Sequence, residues 1–192
     1  IAHSTKKDNY VQAGKFGIGF KSVYAFTETP YIYCDSINFK IEKLLLPTEI
    51  DPLKSKKEGW TEFHFPFDSP KISSEEAKRK IKQGLLEIEN TTLLFLNNIA
   101  SIKYKLEDGS ESIVKKNVNG NVISSVIIAG GKQRAQGMWK RFSRQTTFHG
   151  KRISVDLAFP IEKGKDIPFK FVAGQDKVCI TFLAKNEKSN LK

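Results

Sequence analysis

A segment with three closely spaced glycines, Gly14–Ser22 (GKFGIGFKS), is the part of the sequence best suited to chemistry. Glycine tolerates positive φ angles and lets a ligand come close to the main chain. Phe20, Val23 and Tyr24 then recur at helical spacing, so a helix is predicted directly after the glycines. The first turn of a helix presents unpaired N–H groups and a positive dipole end to an anion. The segment therefore predicts a phosphate-binding turn, with two lysines adding positive charge.

The residues alone leave a structural turn open as a second interpretation, because glycines often serve only tight packing. Two better-known phosphate motifs do not fit. The Lys21-Ser22 pair comes two residues after Gly19, the last glycine, rather than directly after it, so the segment is not a P-loop. No strand is predicted just before Gly14, which also argues against a dinucleotide-binding fingerprint.

The run Ala13–Phe26 (AGKFGIGFKSVYAF) resembles the third nucleotide motif of the GHKL, or Bergerat-fold, ATPases. That superfamily includes heat-shock chaperones, gyrase B subunits and sensor histidine kinases. The likeness is greatest to the heat-shock-chaperone and sacsin-like branch, and the beginning of the chain, Ile1–Lys6, is similar to the lid start in that branch. The specific likeness covers about the first 35 residues of the chain.

The resemblance implies an ATP-binding module of a larger, chaperone-like ATPase, and it implies a lid at Ile1–Ala13. Main-chain amides from Lys15 through Phe20 would contact the β- and γ-phosphates of ATP. The implied cofactor-binding residues are Gly14, Lys15, Phe16, Gly17, Ile18, Gly19, Phe20, Ser4 and Thr5.

The resemblance also implies that the catalytic groups lie upstream of Ile1. In this superfamily a general-base Glu, a Mg²⁺-binding Asn and an Asp-x-Gly-x-Gly adenine segment precede the lid. We therefore expect no catalytic or metal-binding residue in this chain, weak ATP binding and little hydrolysis, whereas the parent protein is expected to be an ATPase that uses Mg²⁺. Further expected partners are a client protein or nucleic acid, and a second copy of the parent in a homodimer.

The predicted fold class is α+β: a partial GHKL-type α/β sandwich, with a mixed sheet and helices on one face, followed by a mainly β segment. Residues 1–110 are assigned to the ATP-binding domain and residues 111–192 to the start of a second, transducer-like domain. The clearest predicted helix is Ser74–Asn90, which Ser73 and Glu76 open as a capping box. Period-two patterns and turn signals predict the strands Tyr31–Asp35, Asn38–Leu46, Thr61–Phe67, Glu111–Lys116, Val122–Ile128, Gly137–Ser143, Ile153–Phe159 and Val178–Ala184, and a hairpin turn at Glu107–Gly109.

Composition places the chain among globular proteins and favours anionic partners. Of its 192 residues 39% are hydrophobic and 28% charged, and its net charge is +11. No apolar run reaches the roughly 20 residues that a membrane helix needs, so no membrane partner is expected. Cys34 and Cys179 lack zinc-site spacing, which predicts two reduced thiols in a cytoplasmic protein.

Basic and aromatic residues alternate over Lys132–Arg152 and give the main rival hypothesis. Such a pattern is typical of single-stranded nucleic-acid binding, but a hairpin whose aromatic residues enter the core has the same pattern. The residues concerned are Lys132, Arg134, Trp139, Lys140, Arg141, Phe142, Arg144, Phe148, Lys151 and Arg152. A structural domain with a decayed nucleotide site is a further alternative.

Overall fold

The computed structural model describes residues 18–148, 151–161, 177–180 and 182–188. Two helical segments lie among them. The first is helix α1, Ile18–Lys21, which continues as a 3₁₀ turn over Ser22–Ala25, and the second is helix α2, Ser74–Leu86. The strands are β1 Tyr31–Tyr33, β2 Asn38–Glu42, β3 Leu46–Glu49, β4 Glu62–His64, β5 Ser101–Lys105, β6 Glu111–Asn119, β7 Val122–Ala129, β8 Lys132–Phe148, β9 Lys151–Pro160, β10 Lys177–Ile180 and β11 Phe182–Lys188.

The strands form two antiparallel sheets in two separate units. The first unit, Ile1–Gly84, contains a four-stranded sheet in the order β3-β2-β1-β4. The second unit, Leu85–Lys192, contains a seven-stranded sheet in the order β11-β10-β9-β8-β7-β6-β5. The chain divides after Gly84, whereas the sequence placed the division at residue 110. The types of domain assigned to the two parts stay a prediction.

The predicted fold class is wrong. The structure is mainly β, and no helix layer covers a mixed sheet in the described residues; both sheets are antiparallel. The reason lies in the connections. A parallel pair of strands needs a crossover of a dozen or more residues, usually helical. Short turns instead join β1 to β2 and β2 to β3, and short turns also join β5 through β8, so successive strands pair side by side as hairpins.

In the first unit, β1 is the centre of a short sheet. Ile32 in β1 and Ile41 in β2 are buried, while their neighbours along each strand are partly exposed, which gives the alternation of a sheet with one covered face. Strand β3 was not predicted, because Pro47 and the charged residues after it indicated a surface connection. Proline lacks a donor for the ladder but is tolerated on an edge strand, and β3 is such an edge.

A partly buried lysine, Lys56, stabilises the connection between β3 and β4. Lys56 Nζ donates to the carboxylate of Asp35 and to the main-chain oxygens of Lys57 and Trp60, both at 3.1 Å. The other carboxylate oxygen of Asp35 accepts the N–H of Gly59 at 2.9 Å. The hydrogen bond from Lys56 is the main cause that lowers the pKa of Asp35. These hydrogen bonds hold residues 56–60 against Asp35.

Helix α2 begins as predicted but ends four residues earlier. The main-chain N–H of Glu76 donates to Ser73 Oγ at 3.2 Å, which is the N-cap bond of the predicted capping box. In a capping box the Glu76 carboxylate would in turn accept the main-chain N–H of Ser73. Here it binds the guanidinium of Arg79 instead, at 2.7 and 2.8 Å. That hydrogen bond is also the largest cause lowering the pKa of Glu76.

The second sheet is a meander of hairpins closed by glycines at positive φ. Gly109 at +82° lies in the predicted turn after β5, and Gly130 at +55° and Gly131 at +76° form the two-residue turn between β7 and β8. Two positive φ angles in succession define the turn type whose twist matches that of the adjoining strands. These turns join β5 to β6 and β7 to β8 as antiparallel hairpins.

The core of the second unit lies between one face of this sheet and the segment 88–96. Leu93 packs with Val114 and Ile127, and Leu94 packs with Ile123, Trp139 and Ala158. Leu93 and Leu94 are fully buried and lie within the apolar segment 91–99, whose last three residues are exposed. Gly137 belongs to the same arrangement: a Cβ there would come within 2.1 Å of the Trp139 ring, which folds back over the strand.

Candidate functional site

The glycine segment continues into a helical segment at the predicted place. Helical backbone starts at Ile18 and runs to Ala25, well before Pro30. Of the predicted cofactor-binding residues, the structure describes Ile18, Gly19 and Phe20. The remaining ones lie outside the described residues: Ser4, Thr5, Gly14, Lys15, Phe16 and Gly17.

Gly19 is exposed, and the local structure does not require a glycine there. Its φ is not in the left-handed region, and a Cβ built on it would have no atom within 4 Å among the described residues. A glycine in a helical turn costs stability relative to alanine, by roughly 0.5–1 kcal/mol. Neither backbone conformation nor packing in the described structure offsets that cost.

Polar groups beside Gly19 remain accessible. The hydroxyl of Ser22 donates to the main-chain oxygen of Gly19 at 2.7 Å, which occupies that carbonyl. The side chains of Lys21 and Ser22 are both exposed. A cation and a hydroxyl therefore flank the position at which the helical segment begins.

Phe20 anchors the turn through its ring. The ring lies 6.2 Å from Tyr24, 6.3 Å from Phe63 and 6.5 Å from Phe65, measured between centroids. Phe63 and Phe65 stack on each other at 6.0 Å, as expected for the predicted aromatic face of β4. The side chain of Phe20 is thus committed to packing, and only its main chain is available to a ligand.

The end of the helical segment is tied to the chain that follows β4. Thr27 is fully buried, and its hydroxyl donates to Asp68 Oδ1 at 3.0 Å. The N–H of Glu28 donates to the same oxygen at 2.7 Å. Partial burial alone would raise the pKa of Asp68, but the hydrogen bonds to its carboxylate, these two among them, together outweigh burial and the pKa is lowered. Sequence reasoning missed this pair, which lies 41 residues apart.

Tyr24 gives the segment a second polar contact. Its hydroxyl donates to the main-chain oxygen of Leu44 at 3.3 Å, in the turn between β2 and β3. Desolvation raises the pKa of Tyr24, so the phenol keeps its proton at neutral pH. The helical segment is therefore held on one side by Leu44 and on the other by Asp68.

Sequence reasoning also missed an open cleft beside β2 and β3. It is lined by Ser36, Ile37, Asn38, Phe39, Pro47 and Glu49. The side-chain oxygen of Asn38 is buried and has no hydrogen-bond partner in the part of the chain that the structure describes. No local pattern could have revealed the cleft, because it depends on the unpredicted strand β3.

No metal site is found among the residues described. No group of three or more His, Cys, Asp and Glu side chains lies close enough together there to hold an ion. His64 instead contacts Glu62 at 2.6 Å and the ring of Tyr33 at 5.1 Å. Cys34, which was predicted in a strand core, lies just after β1, is partly exposed and donates to the main-chain oxygen of Ile37 at 2.8 Å.

The basic residues of β8 divide between the two faces of the second sheet. Arg134 donates to the main-chain oxygen of Leu86 at 3.0 Å, and Arg141 donates to Asn97 Oδ1 at 3.0 Å. Trp139 is buried in the core, whereas Phe142 is 41% exposed. The predicted basic and aromatic cluster is therefore not one surface, since part of it is internal.

None of the described helices is long and apolar enough to cross a membrane. Two comparisons with known proteins return nothing: no family model matches the chain, and no solved structure matches it.

A third comparison gives one relative, a protein of Arabidopsis thaliana named NO VEIN. The chain is 29% identical to it over 147 residues, an alignment that covers 64% of this chain. The chain spans only 5% of the length of that protein.

Proposed function

We propose that this chain is the phosphate-binding part of an ATP-binding module of the GHKL type, within a larger chaperone-like ATPase. The main chain of Gly14–Ser22 would face the β- and γ-phosphates of ATP, and Ile1–Ala13, with Ser4 and Thr5, would form the lid. The support comes from the glycine spacing, the resemblance to the third GHKL motif, and a helical segment that begins at Ile18.

The observation that carries the proposal is Gly19. A glycine is present where the described structure provides open space and ordinary φ, so its absent side chain is explained by neither turn geometry nor packing. Close approach of a ligand to the main chain is one reason to keep a glycine at such a position, and the neighbouring Gly14 and Gly17, which have no counterpart near Gly84, favour that reason here. Phosphate oxygens are the ligands that main-chain amides at a helical start bind.

The residues of this chain would bind and orient the triphosphate, not cleave it. Main-chain amides of Lys15 to Phe20 would donate to phosphate oxygens, and the exposed Lys21 would add charge from the rim. Bound ATP would supply the free energy that closes the lid. The general base and the Mg²⁺ ligand belong to the preceding part of the parent, so the isolated chain would bind ATP weakly and hydrolyse little of it. The same proposal covers the parent protein. It would hydrolyse ATP, bind a client protein or nucleic acid, form a homodimer and be located in the cytoplasm.

A pair of glycine-to-alanine variants tests the role of Gly19 in the parent protein. Gly19 and Gly84 are both exposed glycines in helices, and a Cβ at either would meet no atom of the described residues within 4 Å. Alanine should stabilise both helices slightly, by up to about 1 kcal/mol. A methyl group at Gly19 would nevertheless separate the amides from the phosphates. Titration calorimetry with ATP should therefore show G19A binding about tenfold or more weakly, which corresponds to about 1.4 kcal/mol, while G84A binds as wild type does.

The thermal midpoint of each variant separates binding from folding. Both variants should melt at or slightly above the wild-type temperature. Unchanged ATP affinity in G19A, with the fold intact, would show that the turn is structural. The same result in Gly19→Val, which places a larger side chain at the same position, would exclude the phosphate role altogether.

A further inference from the structure

One face of the second sheet is open to solvent. Side chains alternate between faces along a strand, and the strand register fixes which residues share a face. The buried residues of β5–β9 all fall on one face, toward the segment 88–96, and they are Tyr104, Val114, Ile123, Ser125, Ile127, Trp139 and Ala158. The opposite face, called the open face below, has no buried residue among those whose side chains are described.

The open face is strongly basic. Its charged residues in β5–β8 are Lys103, Lys105, Lys115, Lys140, Arg144 and the single acid Glu111. Glu111 contacts Lys103 at 2.8 Å and Lys105 at 3.8 Å, so this acid is already shared by two cations. No acidic side chain of the described residues lies within ion-pair distance of the other three cations.

The cations of the covered face, unlike those of the open face, are bound by groups of the second unit itself. Lys116 Nζ donates to the main-chain oxygens of Leu93, at 3.0 Å, and Leu96, and burial together with the nearby charge of Arg141 lowers its pKa. Arg141 itself is held by Asn97 and lies 3.8 Å from Asp156. Cations of the covered face therefore serve the fold, whereas those of the open face have no comparable internal role.

An exposed aromatic ring lies between two of the open-face cations. Phe142 is 41% exposed and is two residues from both Lys140 and Arg144, so the three side chains project from the same face in one row. The Phe142 ring meets Phe159 on β9 edge to face at 5.9 Å, which holds it in place. A partly exposed aromatic ring flanked by cations is suited to stacking with a flat, anionic ligand.

We propose that the open face binds single-stranded nucleic acid. An unpaired base would stack on Phe142, and Lys140 and Arg144 would contact the phosphates on either side of that base, while Lys115 and Lys103 would extend the track across β6 and β5. Stacking on an aromatic ring accepts any base, and cations add a contribution that falls with salt. A duplex would offer no unpaired base to the ring. An anionic bilayer would bind the cations but offers no base that could stack on the Phe142 ring.

Paired charge reversals test the proposal on the 192-residue chain. Fluorescence anisotropy would follow a labelled oligothymidylate and a labelled oligouridylate, each about 20 nucleotides long, from about 50 to about 300 mM salt. K140E/R144E should weaken binding at least about tenfold and reduce the slope of log Kd against log salt by about 1.4, the value for two lost phosphate contacts on a single strand. The control K54E/K71E changes the net charge equally at two exposed lysines of the first unit. It should keep most of the affinity.

Substitution of the ring separates stacking from charge. F142A should weaken binding by about tenfold at constant charge, and F142Y should retain it. Thermal melting would verify that both variants fold. Equal losses in the two double variants, or full affinity in F142A, would overturn the proposal. Binding to phosphatidylserine vesicles without oligonucleotide binding would also overturn it and assign the face to membranes.

Discussion

At the scale of single residues, we expect the hydrogen bond between Thr27 and Asp68 to contribute more to the stability of the first unit than other contacts of similar size. Removing the carboxylate in Asp68→Ala leaves the fully buried Thr27 hydroxyl without its acceptor. An unsatisfied buried hydroxyl costs about 1–3 kcal/mol, so urea denaturation at neutral pH should show a loss in that range. Asp51→Ala removes an exposed carboxylate with no hydrogen bond among the described residues and should change stability little.

The pH dependence of this loss has a definite sign. The pKa of Asp68 is lowered in the folded protein, so its stabilisation is complete above the unfolded pKa and is lost as pH falls through the folded pKa. The difference in the free energy of unfolding between wild type and D68A should therefore become smaller below about pH 4. A difference that stays constant down to about pH 2 would show that the charge of Asp68 is not what stabilises the contact.

Sequence patterns predict residues whose partners lie close along the chain. Ser73 and Glu76 are three residues apart, and their capping bond is present. Thr27 and Asp68 carry no such signal, because threonine and aspartate are ordinary loop residues until the fold brings them together. The glycine segment lies between these two cases. Its residue types and their spacing predict a ligand, but only the structure shows that the space around Gly19 is open with respect to the described residues.

At the scale of elements, the turn between β2 and β3 is strained. Lys43 and Leu44 have φ angles of 50° and 66°, and the N–H of Leu45 donates to Glu42 at 3.1 Å to close the turn. Left-handed backbone costs a residue with a Cβ about 1–2 kcal/mol. Leu44 is about half exposed, so Leu44→Gly loses little packing and should raise the free energy of unfolding by about 0.5–1 kcal/mol after the entropy of glycine is included.

The adjacent leucine gives a matched control for that gain. Leu45 is 71% exposed and does not have positive φ, so Leu45→Gly adds freedom to the unfolded chain without relieving strain. Thermal melting should show opposite shifts for the two variants. Destabilisation by both would mean that the leucine side chains, not the backbone, govern this turn.

Most elements could be predicted from pattern, and their arrangement could not. The strand β7 was predicted within one residue, because it is rich in β-branched residues and glycines mark a turn at each end, Gly120 and Gly130. β3 was not predicted because Pro47 has no N–H to donate. Whether the missing donor prevents strand pairing depends on which side of the strand has a neighbour. The antiparallel pairing was missed because the resemblance presupposed a mixed sheet. Short connections such as Gly130-Gly131 were better evidence than the resemblance was.

At the scale of the whole molecule, the excess of positive charge should destabilise the fold at low salt. The chain has 32 Lys and Arg residues against 21 Asp and Glu, and exposed ion pairs contribute little to offset the repulsion. Raising the salt concentration from about 20 to about 300 mM at pH 7 should therefore raise the melting temperature, as screening shortens the range of repulsion.

The same salt titration near the isoelectric point provides the control. The isoelectric pH is about 9.6, where the net charge vanishes and salt should have little effect on melting. A fall in melting temperature with salt at pH 7 would show instead that attractive pairs, such as Lys103 with Glu111, outweigh the net repulsion.

Strand β8 pairs with β7 over its first part and with β9 from Trp139 to Phe148, and it resets its register once, at Arg134. Beyond that irregularity, odd-numbered residues of β8 face the core and even-numbered residues face the open side of the sheet. Deleting one residue between Gly137 and Lys140 would move Lys140 inward and Trp139 outward, and every later side chain would exchange sides with them. Natural variants of this strand should therefore differ in length by even numbers of residues, and an odd change should occur only together with a compensating second bulge.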